Sequence, residues 1–178
     1  MIFCLLICFS IMVGPIICLP RSAVVHLISE EVTGSITFTE VDDGVHVKGS
    51  IRGLEAGNYG FHIHELGDTI TCDAAGAHLN PDATNHGGRD HTIRHVGDLG
   101  NIQFVGTGIG VAEVDFVDKV IALRGRNNVL GRTLVLHGQE DDLGLGGHET
   151  SLTTGNAGSR VVCAVIGVNS PVEAWVDE

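Results

Sequence analysis

Basic residues are scarce in this chain, which has ten Lys and Arg residues against 22 Asp and Glu residues. The resulting formal net charge of −12 argues against nucleic acid or an anionic membrane surface as a partner. The tripeptide Asn-x-Ser/Thr is also absent, so export of the chain would not imply N-linked glycosylation. With 178 residues, the chain is long enough for one domain with a proper hydrophobic core.

Aromatic side chains are few and helical patterns are absent. Aromatic residues make up 4% of the chain, whereas 25 residues are glycine, about double the usual share. No segment repeats apolar residues at sustained helical spacing, but eight short segments show the alternation or apolar runs of β-strands. These segments begin at Ala23, Gly34, Val45, Tyr59, Leu99, Ala112, Thr133 and Arg160. We therefore predict an all-β fold, an eight-stranded antiparallel Greek-key sandwich or flattened barrel.

Two connections between these strands, residues 66–98 and 139–159, are too long for hairpin turns. Loops of this length without secondary structure are usually either functional or disordered. The first loop holds several imidazoles and a carboxylate, and the second is rich in charge and glycine. We expect both loops to be functional.

The N-terminal stretch Met1–Leu19 contains no charged residue and is almost wholly apolar. Such a stretch is typical of a secretory signal peptide. We expect a leader at residues 1–18, cleaved somewhere between residues 14 and 20, followed by a domain at 19–168. The run is also just long enough for a membrane anchor, although a glycine and a proline interrupt it.

Histidines are concentrated in the stretch Gly60–Asp98, which holds six of the ten in the chain. His62 and His64 alternate with two apolar residues, so on a strand the two imidazoles share one face. They would provide half of a transition-metal site, and imidazole suits zinc, copper, iron and nickel. The loop that follows adds further candidate ligands, namely His78, His86, His95 and the carboxylate of Asp98.

Six blocks of sequence, in order, resemble the copper/zinc superoxide dismutase family over about residues 23–168. They read GFHIHE from Gly60, AGAHLNP from Ala75, HGG from His86, RHVGDLGN from Arg94, GRTLVLH from Gly131 and GNAGSR from Gly155. The resemblance implies an enzyme that converts superoxide to dioxygen and hydrogen peroxide, with one copper and one zinc ion per subunit. It also implies a homodimer that protects against superoxide outside the cell, and a β-sandwich, since the family is a known member of that class.

The resemblance assigns a role to each matching residue. The copper ligands would be His62, His64, His78 and His137, and the zinc ligands would be His78, His86, His95 and Asp98. His78 would bridge the two metals and take up a proton, while Arg160 would attract and orient the superoxide anion. Asp141 would link a copper histidine to a zinc histidine. Cys72 and Cys163, the two cysteines outside the leader, would form a disulfide between the first long loop and the last strand.

Several positions depart from the family pattern. Thr150 stands where a second acid is common, and Thr153 and Gln139 stand where lysines often occur, so the charge around the site is altered. His26 and Ile28 occupy first-strand positions that often contribute to the family dimer, which leaves the dimer geometry open.

Four histidines match no family ligand, and we expect ordinary surface or strand positions for them: His26, His46, His91 and His148. Residues 169–178 extend past the end of the family pattern. Although Val172, Trp175 and Val176 are apolar, we expect this extension to be a frayed tail.

Two other functions are compatible with part of the pattern. A copper carrier or chaperone-like relative could keep the fold without dismutase activity, but copper delivery uses exposed thiolate pairs. Outside the leader the chain has no Cys-x-Cys or Cys-x-x-Cys. A zinc hydrase or hydrolase could use three of the imidazoles, but it would give no reason for Arg160, His137 or the cysteine pair.

Overall fold

The structure, a computed structural model, describes residues 19–169 and 171–175 of the chain. The expected leader, residues 1–18, lies outside the described residues. The described part is almost entirely β-structure. Its strands are β1 (Ser22–Ile28), β2 (Thr33–Val41), β3 (Gly44–Arg52), β4 (Gly57–His64), β5 (Asp98–Phe104), β6 (Val111–Asp118), β7 (Thr133–His137), β8 (Arg160–Val165) and β9 (Gly167–Val168).

The strands form two antiparallel sheets that pack face to face. The five-stranded sheet has the order β6-β3-β2-β1-β9, and the four-stranded sheet has the order β5-β4-β7-β8. Apolar side chains alternate with polar ones along the strands, so that Ile36 and Phe38 on β2 are buried while the alternating Thr37 and Thr39 are not. The predicted all-β antiparallel fold is confirmed, and of the two expected forms the molecule adopts the open sandwich.

The number of strands is nine instead of the predicted eight, because the last predicted strand, residues 160–168, is interrupted at Ile166. The backbone of this residue bonds to the segment before β7, with Ile166 N–H donating to Arg132 O and Gly131 N–H donating to Ile166 O, each at 2.9 Å. Its side chain is fully buried in the core. The chain therefore leaves the four-stranded sheet at β8 and enters the five-stranded sheet as β9.

Each long loop is fixed to the sandwich by contacts with distant residues. The first, between β4 and β5, contains a 3₁₀ turn at Cys72–Ala75 and is joined to β8 by the Cys72–Cys163 disulfide. The second, between β7 and β8, contains the short helix α1 (Ser151–Thr154). The two loops also bond to each other, since His86 N–H donates to Leu152 O at 2.9 Å.

The C-terminal extension packs against the body over the residues that the structure describes. A 3₁₀ turn spans Val172–Trp175, and the indole of Trp175 is partly buried against the core. The expectation of a frayed tail is therefore wrong for this turn. Among the described residues, no helix has the length and apolar character needed to span a membrane.

Candidate metal centre

Four buried histidines meet at the ends of β4 and β7. His62 and His64 lie at the C-terminal end of β4, and His137 ends the neighbouring strand β7. His78 lies in the first long loop. His78 is held beside His64 by an isolated antiparallel bridge. One donor atom from each of the four lies within 4.8 Å of every other. We refer to these residues as the four-histidine cluster.

In each of these histidines, one ring nitrogen faces a polar group outside the cluster. The other ring nitrogen faces the interior of the cluster. His62 Nε2 bonds to Asp141 Oδ2 at 2.9 Å, His78 Nδ1 to Asp98 Oδ1 at 2.8 Å and His64 Nδ1 to Gly76 O at 2.9 Å. His137 Nδ1 lies 3.4 Å from Gly158 O. The remaining nitrogens converge, as the 3.4 Å separation between His64 Nε2 and His137 Nε2 shows.

A second buried cluster consists of His78, His86, His95 and Asp98, whose donor atoms also lie within 4.8 Å of one another. We call it the histidine–aspartate cluster. Asp98 Oδ1 is 2.8 Å from His78 Nδ1 and 3.2 Å from His95 Nδ1, and these two nitrogens are 3.4 Å apart. Four donors held roughly 2.0–2.1 Å from a central zinc ion at tetrahedral corners are about 3.3 Å apart. The spacing of this cluster therefore fits a tetrahedral ion.

Unpartnered buried nitrogens provide an independent test of whether metals fit. Among the described residues, His62 Nδ1, His78 Nε2 and His86 Nδ1 are buried without a hydrogen-bond partner. His86 Nδ1 lies 3.0 Å from Asp98 Oδ2 but not in hydrogen-bond geometry. Buried polar atoms are nearly always satisfied, so such atoms need an explanation. Bound cations would satisfy all three.

Burial controls the charge of the four-histidine cluster. Burial and the neighbouring His78 lower the pKa of His62 to about 3, and burial lowers the pKa of His64 to about 2 and that of His137 to about 4. The pKa of His78 is lowered as well, chiefly by burial. A neutral imidazole keeps the lone pair that a metal requires, so the cluster is ready to bind a transition metal at physiological pH.

The histidine–aspartate cluster has a different charge. Burial favours the neutral form of Asp98, but the close imidazoles of His78, His86 and His95 outweigh it and lower the pKa of this carboxyl far below its usual value. Burial likewise opposes protonation of His86, yet its hydrogen bond to Asp141 and the nearby negative charge of Asp98 raise its pKa to about 9. The cluster thus contains a fixed negative charge that the four-histidine cluster lacks.

Asp141 links the two clusters from the second long loop. Its Oδ2 accepts from His62 Nε2 at 2.9 Å, and its Oδ1 accepts from His86 Nε2 at 2.8 Å. The loop carries Asp141 into place through Asn101 on β5, whose amide both donates to Asp141 O and accepts from Asp141 N–H, each at 2.8 Å. No role for Asn101 follows from the sequence, because its only signal is its place in a family block.

Glycine is required beside this link. Gly155 ends α1 in the left-handed conformation, with φ of 63°. A Cβ atom at this position would overlap Asp141 Oδ1 and would lie 2.5 Å from His86 Nε2. Only a residue without a side chain leaves room for the carboxylate to reach His86.

Arg160 lies at the start of β8, beside the four-histidine cluster. Its guanidinium donates to Cys72 O and Gly76 O, each at 2.6 Å. Burial and the neighbouring His78 are the main causes of the lowered pKa values of His64 and His137, and the positive charge of Arg160 lowers both values further. The arginine is thus held in a fixed position by the disulfide-bonded loop, and its side chain is partly exposed.

Arg94, which the sequence analysis quoted without a function, fixes the loop that carries the histidine–aspartate cluster. Its Nη1 donates to Asp98 O at 2.7 Å, and its Nη2 donates to both carboxylate oxygens of Asp118 at 2.8 and 2.9 Å. Both side chains of this pair are almost fully buried. No local pattern reveals the pair, because its members are 24 residues apart.

The other histidines lie outside both clusters, as expected. His26 bonds to Ser35 and His46 to Asp115 on the outer face of the five-stranded sheet. His91 accepts from Gly88 N–H within the first long loop, and His148 precedes α1 in the second.

The match to known proteins covers most of the chain. The family described as copper/zinc superoxide dismutase (SODC) matches residues 32–166. An extracellular superoxide dismutase (Cu-Zn) of Drosophila melanogaster is 49% identical over 159 residues, covering 84% of this chain and 87% of the relative. Superoxide dismutase (Cu-Zn) A of Xenopus laevis is 51% identical over 141 residues, covering 78% of this chain and 91% of the relative.

Among solved structures, the crystal structure of the clock protein EA4 matches with a TM-score of 0.80 and 45% sequence identity, covering 89% of this chain and 100% of that one. The β-sandwich fold, the two donor clusters and the similarity to these relatives all indicate the same family. The chain belongs to the copper/zinc superoxide dismutase family.

Proposed function

We propose that His62, His64, His78 and His137 hold copper, and that His78, His86, His95 and Asp98 hold zinc. The observation that supports this division is the set of buried, unpartnered nitrogens, since His62 Nδ1 and His78 Nε2 belong to the first cluster and His86 Nδ1 to the second. Neutral imidazoles tolerate both oxidation states of copper. A carboxylate among three imidazoles suits zinc, which has no redox chemistry and prefers a closed tetrahedral site.

The enzyme consumes two superoxide anions and two protons and releases dioxygen and hydrogen peroxide. Bound copper would supply the one-electron exchange with each superoxide. Arg160 would attract and orient the anion through charged hydrogen bonds from the outer edge of its guanidinium. His78 Nε2, which is buried and has no hydrogen-bond partner, would hold a proton and release it to the reduced oxygen species.

A copper carrier without dismutase activity is not favoured. Both cysteines of the described domain are joined in the Cys72–Cys163 disulfide, so this part of the chain offers no thiolate pair for copper transfer. The decisive experiment combines elemental analysis of the purified protein with a superoxide-consumption assay. One copper and one zinc per chain with rapid consumption supports the proposal. Copper without consumption would indicate a carrier, and zinc without copper would indicate a hydrolytic zinc site.

We infer that the enzyme is secreted, with residues 1–18 as a cleaved leader, 19–168 as the catalytic domain and 169–178 as an extension. The support is the uncharged apolar stretch Met1–Leu19, the disulfide, and the similarity to a relative that is named extracellular. N-terminal sequencing of protein collected outside the cell should find a start between about residues 14 and 20. Intact Met1 in a membrane fraction would indicate an anchor instead.

We also propose a homodimer that forms through exposed apolar residues beside β8. Leu66 is 50% exposed and Val165 38% exposed. Thr133 connects the two residues. Its hydroxyl donates to Leu66 O at 2.7 Å, and its backbone pairs with Val165 in the sheet. Sedimentation analysis should show a dimer that Leu66→Glu converts to a monomer. The control Ile109→Glu, at another exposed apolar position, should leave the dimer intact, and equal effects of both changes would reject this interface.

A further inference from the structure

The five-stranded sheet ends on one side in β9, a strand of only two residues. Its ladder consists of two residue pairs, Ala23 with Val168 and Val24 with Gly167. The neighbouring strand β1 is seven residues long, and β9 covers its start at Ala23 and Val24, which would be open if β9 came away. Open edges expose unpaired backbone groups that can pair with another chain.

The turn Val172–Trp175 brings the indole of Trp175 back to this edge. Trp175 Nε1 donates to Asn169 O at 3.0 Å, directly after β9. The guanidinium carbon of Arg21, directly before β1, lies 5.7 Å from the centre of the indole ring. A cation over an aromatic face at this distance is attracted by the ring. Asn169 in turn donates its N–H to Ser22 O at 2.7 Å.

We propose that residues 171–175 form a C-terminal strap that holds β9 against β1 and thereby closes this sheet edge. The strap joins the start of the first described strand to the end of the last one, because Trp175 contacts both Arg21 and Asn169. Trp175 also packs against the hydrophobic core, so the strap binds the sandwich by apolar contact as well as by polar bonds.

Two other edges of the sandwich, those at β8 and β6, are protected by different means. The edge strand β8 is covered by the 3₁₀ turn at Cys72–Ala75, to which the Cys72–Cys163 disulfide ties it. The opposite edge strand β6 carries the acids Glu113 and Asp115, and charges on an edge oppose pairing with another chain. Strand β9 has no charged residue and only two residue pairs, so the strap supplies the protection that its own sequence lacks.

The experiment uses the mature, metal-loaded chain and amide hydrogen exchange. Trp175→Ala should accelerate exchange at Asn169, whose N–H donates to Ser22 O, by about tenfold, since local opening of the edge becomes easier. Light scattering at high protein concentration should rise in the same variant. The matched control Val172→Ala, at a strap position that is 68% exposed, should change neither quantity. Copper and zinc content should stay the same in both variants.

A second measurement uses the fact that Trp175 is the only tryptophan in the chain. Arg21→Gln keeps the fluorophore but removes the cation from its face, so the emission should shift to the red and acrylamide quenching should increase. Arg52→Gln, at the exposed end of β3, serves as the control. Wild-type emission typical of a fully exposed indole, or unchanged exchange at Asn169 in Trp175→Ala, would overturn the proposal.

Discussion

A single imidazole belongs to both donor clusters. The Nδ1 atom of His78 is 2.8 Å from Asp98 Oδ1, whereas its Nε2 atom is left for the four-histidine cluster. Every other histidine in the two clusters serves one cluster only. Removal of a residue that serves one cluster should therefore spare the other metal, and this gives a direct test of the proposed division.

The division of metals predicts opposite effects of two substitutions. His137→Ala should remove copper and dismutase activity while zinc stays bound, because His137 donates only to the four-histidine cluster. Asp98→Ala should loosen zinc and lower thermal stability first, since the carboxylate orders the loop that bears His86 and His95. Elemental analysis and thermal unfolding are the measurements, with His26→Ala as a control outside both clusters. Equal loss of both metals from either variant would contradict the division.

Most of the residues that surround the metals could be predicted from the sequence. His62 and His64 follow from strand alternation, and the structure brings together all seven of the proposed ligands as well as Asp141 and Arg160. Asn101 could not be recognised in the same way. Its function depends on an amide that faces the backbone of Asp141, 40 residues away, and such a contact leaves no local pattern.

At the level of elements, the two long loops derive their order from distant bonds. The disulfide joins residues that are 91 positions apart, and Arg94 joins the first loop to β6 through Asp118. Neither loop contains a helix or strand of substantial length. The stability of the site therefore depends on these cross-connections more than on local propensity.

Loss of the disulfide should destabilise the fold and weaken the enzyme together. Closing a loop of this length stabilises by about 4–5 kcal/mol at most in the loop-entropy account. The double variant Cys72→Ser, Cys163→Ser should approach that loss in urea denaturation at fixed metal content. Its activity should also fall, because Arg160 donates to Cys72 O. A loss of stability below about 1 kcal/mol with full activity would show that the loop holds its position without the bond.

The buried ion pair of Arg94 should be worth far more than an exposed one. Arg94→Met leaves the Asp118 carboxylate buried without its cation, and such a change typically costs about 3–5 kcal/mol. The control Arg124→Met removes an exposed partner of Glu40 and should cost less than about 1 kcal/mol. Denaturation curves of the two variants and their zinc content provide the comparison. Similar small losses would mean that the backbone N–H groups of Val120 and Ile121 satisfy Asp118 unaided.

Strand positions were largely predictable, but the end of the last strand was not. Alternation locates the buried Ile36 and Phe38 correctly, because a half-buried strand repeats every two residues. Residues 160–168 read as one continuous strand, and the break at Ile166 is set by hydrogen bonds to the segment before β7. The docking of Trp175 leaves no sequence pattern for a similar reason. Its contacts are the side chain of Arg21, which is distant in the sequence, and the backbone carbonyl of Asn169.

The whole molecule presents an apparent conflict, since a protein with a net charge of −12 must attract an anion. At physiological salt, charges separated by more than about 8–10 Å are largely screened. Steering by local positive charge is known for this family. Here the positive rim is sparse, because Thr153 and Gln139 stand where lysines often occur, and the chain has only two lysines, Lys48 and Lys119. Arg160 should therefore carry an unusual share of the attraction.

Two substitutions test this account of steering. Arg160→Ile should lower the rate at least about tenfold, or about 1.4 kcal/mol of barrier. Thr153→Lys, on the exposed face of α1, should raise the rate at low salt, and the gain should shrink as salt is added. The measurement is the dismutation rate of wild type and both variants against ionic strength. An unaffected rate in Arg160→Ile, or a gain from Thr153→Lys that salt does not alter, would refute the account.

Gly155 also sets a limit on how this family member can diverge. The second long loop carries Thr150 and Thr153 at positions where charged residues are common in the family, and it still forms the helix α1. One methyl group at Gly155 would occupy the space that Asp141 needs to reach His86. We therefore expect substitutions along this loop to be tolerated more readily than a substitution at this glycine. A variant that lost the glycine would keep every proposed metal ligand but would lose the carboxylate link between His62 and His86.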